Sequence, residues 1–208
     1  MNIIVFGDSI TQGFDDTAYG GWVNRLFVAV SARSRGQEHG AYHAVFNLGI
    51  SGDTTDALGK RMAGELSARA GTENLIVFDI GGNDSVRHVT SGECQVPLER
   101  FTANYRWMIA HAQQYGTVVC LGIHDSDESV LKPLPWYPEY ASLDEDGQRY
   151  DEAIQGVADE GGALYISMRN ILNKDFETYT YDGDHPSAEG HRLIYERVKD
   201  GLEQAGIL

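Results

Sequence analysis

Five short apolar runs alternate along the chain with longer segments of helical spacing. The runs lie at 2–6, 43–48, 74–80, 117–123 and 163–167. Their nearly continuous apolar character is typical of strands that are buried on both faces. Apolar residues with helical spacing mark the segments 21–34, 55–70, 98–115, 144–160 and 187–205. Regular alternation of strand and helix predicts an α/β fold, in which a parallel sheet is covered by helices on both sides.

One connection, at 124–143, interrupts this regular alternation. It contains three of the five prolines of the chain, and proline is unsuited to a helix interior or to an inner strand. We interpret it as an irregular loop with two possible roles. It is either a lid over the substrate, with Trp136, Tyr137 or Tyr140 lining the pocket, or a packed connection stiffened by proline.

The charge of the chain argues against two classes of partner. The 16 Lys and Arg residues stand against 31 Asp and Glu residues, which gives a formal net charge of −15. Nucleic acids and anionic membrane surfaces both require clustered basic residues. No apolar run approaches the ~20 residues of a membrane span, and the first residues do not resemble a secretion signal. We therefore expect a single cytoplasmic domain over 1–208, without integral membrane association.

The chain contains two cysteines, Cys94 and Cys120. They are too few and too far apart for a disulfide framework or a cysteine-type metal site. Both are expected to be reduced thiols.

Polar residues follow the predicted strands, where an open parallel sheet places its ligand site. The segments are GDS at 7–9, GISGD at 49–53, GGND at 81–84 and, beyond the fifth strand, DGDHP at 182–186. A nucleophilic serine needs a base within hydrogen-bond reach, an acid that orients the base, and fixed donors for the developing oxyanion. These four segments contain candidates for every part.

We assign these parts as a hypothesis. Ser9 is the candidate nucleophile, because its hydroxyl follows the first strand directly. His185 is the candidate base, and Asp182 is the acid that orients it. Gly49, through its backbone N–H, and Asn83, through its side-chain amide, are the candidate oxyanion donors.

Together the segments resemble the sequence blocks of the SGNH hydrolase superfamily, in its GDSL-type esterase and lipase family. The blocks GDSI, NLGISGD, GGND and DGDHP appear in family order and span almost the whole chain. The resemblance implies a flavodoxin-like three-layer α/β/α sandwich with a five-stranded parallel sheet. It also implies a Ser-His-Asp catalytic triad made by Ser9, His185 and Asp182. The oxyanion hole would then be formed by the backbone N–H of Ser9 together with Gly49 and Asn83.

The resemblance also implies the class of reaction. Members of the family are esterases and acylhydrolases that need no metal or organic cofactor, and the implied partner is a small-molecule ester. Their substrates include acetylated sugars, short-chain esters, phospholipids and acyl thioesters. A compact chain favours short-chain acyl or O-acetyl esters, including those on carbohydrates.

Two other functions are considered beside this one. A metal-dependent phosphoesterase could gather its ligands from Asp8, Asp53, Asp84, Asp182, Asp184 and His185, although the chain lacks an early Asp-x-His pair. The same fold could also be a non-catalytic module that binds a carbohydrate or a protein partner. The complete set of serine, glycine, asparagine, aspartate and histidine argues against the second alternative.

Several polar residues near these segments are expected to be structural. Asp8 should hold its loop by accepting backbone N–H groups, and Asp53 and Asp84 should act in turns or helix caps. Asp184 is expected to face solvent. His124 is expected to be a polar loop residue, and His191 a structural residue of the last helix.

Overall fold

The computed structural model describes residues 1–35, 43–172 and 174–208. Its elements are, in chain order, β1 (Asn2–Gly7), α1 (Ser9–Gln12), α2 (Trp22–Arg35), β2 (Ala44–Gly49), α3 (Thr55–Arg69), β3 (Asn74–Asp79), α4 (Gly82–Ser85), β4 (Arg87–His88), α5 (Leu98–Ala112), β5 (Thr117–Leu121), β6 (Tyr140–Ala141), α6 (Asp144–Gly161), β7 (Leu164–Ile166), α7 (Phe176–Tyr179) and α8 (Ala188–Gln204).

The centre of the fold is a five-stranded parallel sheet with the order β2-β1-β3-β5-β7. This order is that of flavodoxin-like sheets, and the predicted α/β class is confirmed. Strand β1 lies between β2 and β3, so Gly7 is in register with Gly49 on one side and with Asp79 on the other. The carboxyl ends of these three strands therefore meet at one edge of the sheet, where the polar sequence blocks begin.

Two hydrophobic layers cover the faces of the sheet. Alternate residues of β1 point to opposite sides: Ile4 and Phe6 face the layer of α3, α5 and α6, whereas Ile3 and Val5 face the layer of α2 and α8. All four side chains are fully buried, which explains why the strands read as continuous apolar runs. Among the helices in the described parts of the chain, none combines the length and apolar character that crossing a bilayer requires.

The connection at 124–143 is packed more closely than an irregular loop needs to be. Strand β6 lies within it and pairs antiparallel with β4, joining Tyr140 to His88. Leu131 and Leu134 are buried. The backbone of this connection is thus a packed segment, tied to the chain that follows α4.

Candidate active site

Helix α1 begins at Ser9, directly after β1, and places this side chain at the carboxyl edge of the sheet. Asp8 caps the helix, because its carboxylate accepts a hydrogen bond from the Ile10 N–H at 3.0 Å. This contact confirms the structural role expected for Asp8. Gly7 is required for close packing at the end of β1, since a Cβ there would lie 2.3 Å from the backbone oxygen of Asp79.

The structure brings Ser9, His185 and Asp182 into one chain of hydrogen bonds. The Ser9 Oγ lies 3.1 Å from His185 Nε2, across 176 residues of sequence. His185 Nδ1 lies 2.7 Å from Asp182 Oδ2, and the other oxygen of Asp182 accepts the His185 backbone N–H at 2.8 Å. A carboxylate is an acceptor, so Nδ1 carries the ring proton and Nε2 is free to accept the serine proton.

The charges around His185 favour its protonated form. Burial alone would lower the pKa of His185, but the hydrogen bond to Asp182 and the negative charges of Asp184, Asp182 and Asp8 raise this pKa above its usual value. Burial would raise the pKa of Asp182, and the hydrogen bonds from His185 outweigh it and lower this pKa. The pair is therefore an ionised carboxylate beside an imidazole that readily takes up a proton.

Asn83 lies in the cleft next to Ser9. Its Nδ2 donates to the backbone oxygen of Asp53 at 3.0 Å and faces Asp8 Oδ2 at 3.3 Å. The second of these contacts is long for an N–H donor. The side-chain N–H of Asn83 that points to Asp8 therefore makes only a weak hydrogen bond.

Gly49 occupies a different position from the one expected of an oxyanion donor. It is not among the residues that line the cleft, and its N–H already donates to Asn47 Oδ1 at 3.0 Å. A Cβ at this position would lie 2.2 Å from the backbone nitrogen of Gln12. Glycine is therefore needed here for close packing of β2 against α1, and the expectation for Gly49 is corrected.

Gly52, three residues further on, has the features that Gly49 lacks. It lines the cleft together with Ser9 and Asn83 and has a φ of +80°, with open space where a side chain would be. Among the described residues its N–H has no hydrogen-bond acceptor. The sequence could have indicated Gly52, because it is the second glycine of GISGD and falls in the turn after the strand, whereas Gly49 belongs to the strand itself.

The cleft around Ser9 has a volume of about 830 Å³, within the range of small-ligand sites. Aromatic side chains from two separate segments of the chain line it, namely Phe14, Trp136, Tyr137 and Tyr140. The last three were expected in the lid interpretation of 124–143. Phe14 was missed, because a single phenylalanine beyond the first block carries no signal of a long-range contact.

The remaining carboxylates have separate partners. Asp84 accepts hydrogen bonds from the Thr55 N–H at 3.0 Å and from its hydroxyl at 2.5 Å, at the start of α3. Asp53 pairs with Arg61 at 2.6 Å instead of capping a helix. In the described ranges no three His, Cys, Asp or Glu side chains converge as metal ligands would.

Two further histidines lie near the site. His124 lines the cleft, and its Nε2 lies 3.0 Å from the backbone oxygen of Asp184. His191 is fully buried, and its Nε2 faces the backbone oxygen of Phe14 at 3.5 Å. The structural role expected for His191 is in keeping with this burial.

Several known proteins that resemble the chain are named esterases. The profile of the GDSL-like lipase/acylhydrolase family matches residues 5–193. The isoamyl acetate-hydrolyzing esterase 1 homolog of Bos taurus is 25% identical over 220 residues, which cover 97% of this chain and 81% of that protein.

Solved structures show the same fold. The acetyl xylan esterase AlAXEase superposes with a TM-score of 0.74 at 19% identity, over 97% of this chain and 100% of that one. Axe2, an acetylxylan esterase from Geobacillus stearothermophilus, gives 0.71 at 18% identity, over 97% and 93%. With the family match over most of the sequence, the chain belongs to the GDSL-like lipase/acylhydrolase family and is a carboxylic ester hydrolase.

Proposed function

We propose that the protein is a serine esterase that hydrolyses small esters of short acyl groups, and acetate esters in particular. The observation that carries this proposal is the hydrogen-bonded chain from Ser9 through His185 to Asp182, which opens into the cleft. The bovine relative is named for isoamyl acetate, and two structural neighbours are named acetylxylan esterases. These names support an acetyl substrate, with O-acetyl groups on carbohydrates in the same class.

The first half of the reaction forms an acyl-enzyme. Ser9 Oγ attacks the ester carbonyl carbon, and His185 Nε2 takes the hydroxyl proton. The tetrahedral intermediate then expels the alcohol, whose oxygen receives that proton from Nε2. Asp182 keeps the imidazole in the required tautomer and stabilises the imidazolium.

The second half releases the acid by the same route. A water molecule gives a proton to His185 Nε2 and attacks the acyl carbon. Collapse of this second intermediate breaks the bond to Ser9 Oγ, which recovers its proton from His185. The products are a carboxylic acid and the free enzyme.

Three donors would stabilise the oxyanion in both halves. They are the backbone N–H of Ser9, the backbone N–H of Gly52, in place of Gly49, and Nδ2 of Asn83. Support comes from the position of all three residues in the cleft and from the unused N–H of Gly52. Asn83 can turn its weakly held N–H from Asp8 to the oxyanion, and loss of one such donor typically costs about 10² to 10³ in rate.

The test compares two serines in the cleft. Ser51 also lines it, and its hydroxyl donates to Gln12 Oε1 at 2.8 Å, so Ser51→Ala is a matched control for Ser9→Ala. We expect hydrolysis of p-nitrophenyl acetate to fall by about 10⁴-fold or more in Ser9→Ala and to stay within about threefold in Ser51→Ala. Rates for the acetate, butyrate and octanoate esters should decrease in that order.

Two outcomes would contradict the proposal. Full activity of Ser9→Ala would mean that another residue is the nucleophile. Loss of wild-type activity on addition of EDTA would favour the metal-dependent alternative.

A further inference from the structure

Two partly exposed aromatic rings lie next to the imidazole of His185. The Phe14 ring centroid is 4.8 Å from that of His185 at an interplanar angle of 52°, and the Trp136 centroid is 5.7 Å away at 50°. Both rings line the cleft. They retain 42% and 39% exposure, so each presents part of its surface to whatever enters.

Both rings are carried on turns with many internal hydrogen bonds. The Phe14 N–H donates to the Ser9 oxygen at 3.0 Å. The loop that follows is held by Asp16, whose carboxylate accepts the N–H groups of Tyr19 and Gly21 and pairs with Arg25. The exposure of Phe14 is therefore imposed by an ordered backbone.

The Trp136 turn is held in a similar way. The Leu134 N–H donates to the Tyr140 oxygen at 2.8 Å, and the Tyr140 N–H donates to the Tyr137 oxygen at 2.9 Å. Leu134 is buried beneath the turn. The turn that carries Trp136 into the cleft lining is thus held by backbone hydrogen bonds and by the buried Leu134 side chain.

The proton transfer fixes which part of the ester lies beside these rings. His185 Nε2 gives its proton to the leaving alcohol, so the alcohol oxygen must come within about 3 Å of Nε2. The carbon atoms attached to that oxygen then lie against the groups that flank the imidazole. We propose that Phe14 and Trp136 form the alcohol subsite and select esters of uncharged alcohols that carry an apolar face. This inference rests on the proposed function of Ser9 and His185.

The charge of the cleft supports the uncharged alcohol. Its lining includes the carboxyl groups of Asp15, Glu139, Asp144, Asp182 and Asp184. Among the cleft residues that the structure describes, Arg169 is the one with a guanidinium or ammonium group, and it is paired with Asp125 at 2.8 Å and with Asp144 at 2.7 Å. An anionic alcohol would therefore meet like charge without a free cation to offset it.

The experiment varies the alcohol while the acetyl group is constant. Ethyl acetate and isoamyl acetate are compared for the wild type, Phe14→Ala and Trp136→Ala. Exposed rings outside the cleft lining supply matched controls, Phe27→Ala at 48% exposure and Trp107→Ala at 44%. We expect kcat/KM for isoamyl acetate to fall by about tenfold or more in the two cleft variants, mainly through KM, and the loss for ethyl acetate to be at most about threefold.

A second pair of substrates tests the charge. 4-Acetoxybenzoate and its methyl ester carry the same acetyl group on a similar ring, with and without a negative charge. After correction for their uncatalysed alkaline rates, the wild type should favour the neutral compound by about tenfold, and this preference should shrink as salt is added.

Several results would overturn the inference. A cleft variant that loses the same factor for ethyl and isoamyl acetate, or that changes the ratio of ethyl acetate to ethyl butyrate instead, would show that the rings position His185 or bind the acyl group. An equal loss in Phe27→Ala and Trp107→Ala would show a general effect on folding. These outcomes leave Ser9 as nucleophile, whereas activity retained by Ser9→Ala defeats the proposed function itself.

Discussion

At the scale of single residues, the proposed mechanism depends on how readily His185 gains and loses a proton. The side chain of His185 is 15% exposed and that of Asp184 is 34% exposed. Asp184 lies between Asp182 and His185 in sequence, and its carboxylate makes no hydrogen bond to the His185 ring. Its influence on His185 is therefore one of charge.

This arrangement predicts the pH dependence of hydrolysis. In the proposed mechanism His185 must be neutral in the free enzyme to act as a base. Its raised pKa then predicts an acid limb of kcat/KM above the usual histidine value of 6.5. Asp184→Asn removes the charge and keeps the backbone oxygen that faces His124. We expect this variant to move the limb to lower pH, with a similar rate on the plateau.

The control is Asp200→Asn, at an exposed position near the end of α8. Profiles are recorded from pH 5 to 9 with p-nitrophenyl acetate. An acid limb that does not move in Asp184→Asn, or that moves equally in Asp200→Asn, would rule out a local effect of this carboxylate.

At the scale of elements, the start of α3 fixes the turn that carries Gly52. Asp84 of α4 holds both the N–H and the hydroxyl of Thr55. From within α3, Arg61 reaches back to Asp53 and to the Leu48 oxygen at 2.8 Å. The turn is thus held at its end by Asp84 of α4 and across its base by Arg61 of α3.

Removing Asp84 should loosen this junction. The Asp84 carboxyl is fully buried, and Asp84→Ala leaves the buried N–H and hydroxyl of Thr55 without their acceptor. We expect the free energy of unfolding to fall by roughly 3 kcal/mol and kcat/KM to fall with it, as measured by urea denaturation and by hydrolysis of p-nitrophenyl acetate. The control is Asp159→Ala, at an exposed position of α6, which should change stability by less than about 0.5 kcal/mol. Similar losses in the two variants would contradict the role of Asp84 in holding the start of α3.

At the scale of the whole molecule, one buried histidine makes the fold sensitive to acid. His191 lies in the first turn of α8, and its Nδ1 has no hydrogen-bond partner among the described residues. Burial lowers its pKa from 6.5 to about 4. The unfolded chain therefore binds a proton at this position more readily than the folded one between these two values.

The sign of the effect follows from that difference. Stability contributed by neutral His191 is complete above pH 6.5 and is lost as the pH falls towards 4, by roughly 3 kcal/mol in total. Asp84 acts in the opposite direction. Burial raises its pKa to about 6, so its contribution to the stability of the fold is lost as the pH rises from 3.8.

A comparison of the wild type with His191→Gln isolates the effect of the histidine. The difference between their free energies of unfolding should shrink as the pH falls from 7 to 4. A difference that stays constant over this range would contradict the prediction.

Much of the molecule could be predicted from the sequence, for identifiable reasons. The five main strands lie close to their expected bounds, because burial on both faces demands unbroken apolar runs. The sequence indicates Ser9 because it directly follows β1, and it indicates Asp182 and His185 because a spacing of three residues lets both side chains point the same way. Strands β4 and β6 are too short to show a period, so their pairing was not expected.

The errors concern contacts between distant parts of the chain. Gly49 and Gly52 look equally suitable in the sequence, and only the position of the Asn47 side chain shows that the first N–H is already used. Phe14 and Trp136 approach His185 from loops that lie far apart in sequence. A contact of this kind between three rings cannot be predicted from the local sequence around any one of them.

The hydrogen bond between Ser9 and His185 joins residues 176 positions apart. Ser9 follows β1, an inner strand of the sheet, whereas His185 lies in a short turn closed by the bridge between Thr180 and Pro186. Contacts of such long range form late, because a large loop must be closed before they stabilise anything. In refolding from urea we therefore expect esterase turnover to return no earlier than helical structure, which circular dichroism recorded alongside the activity would check.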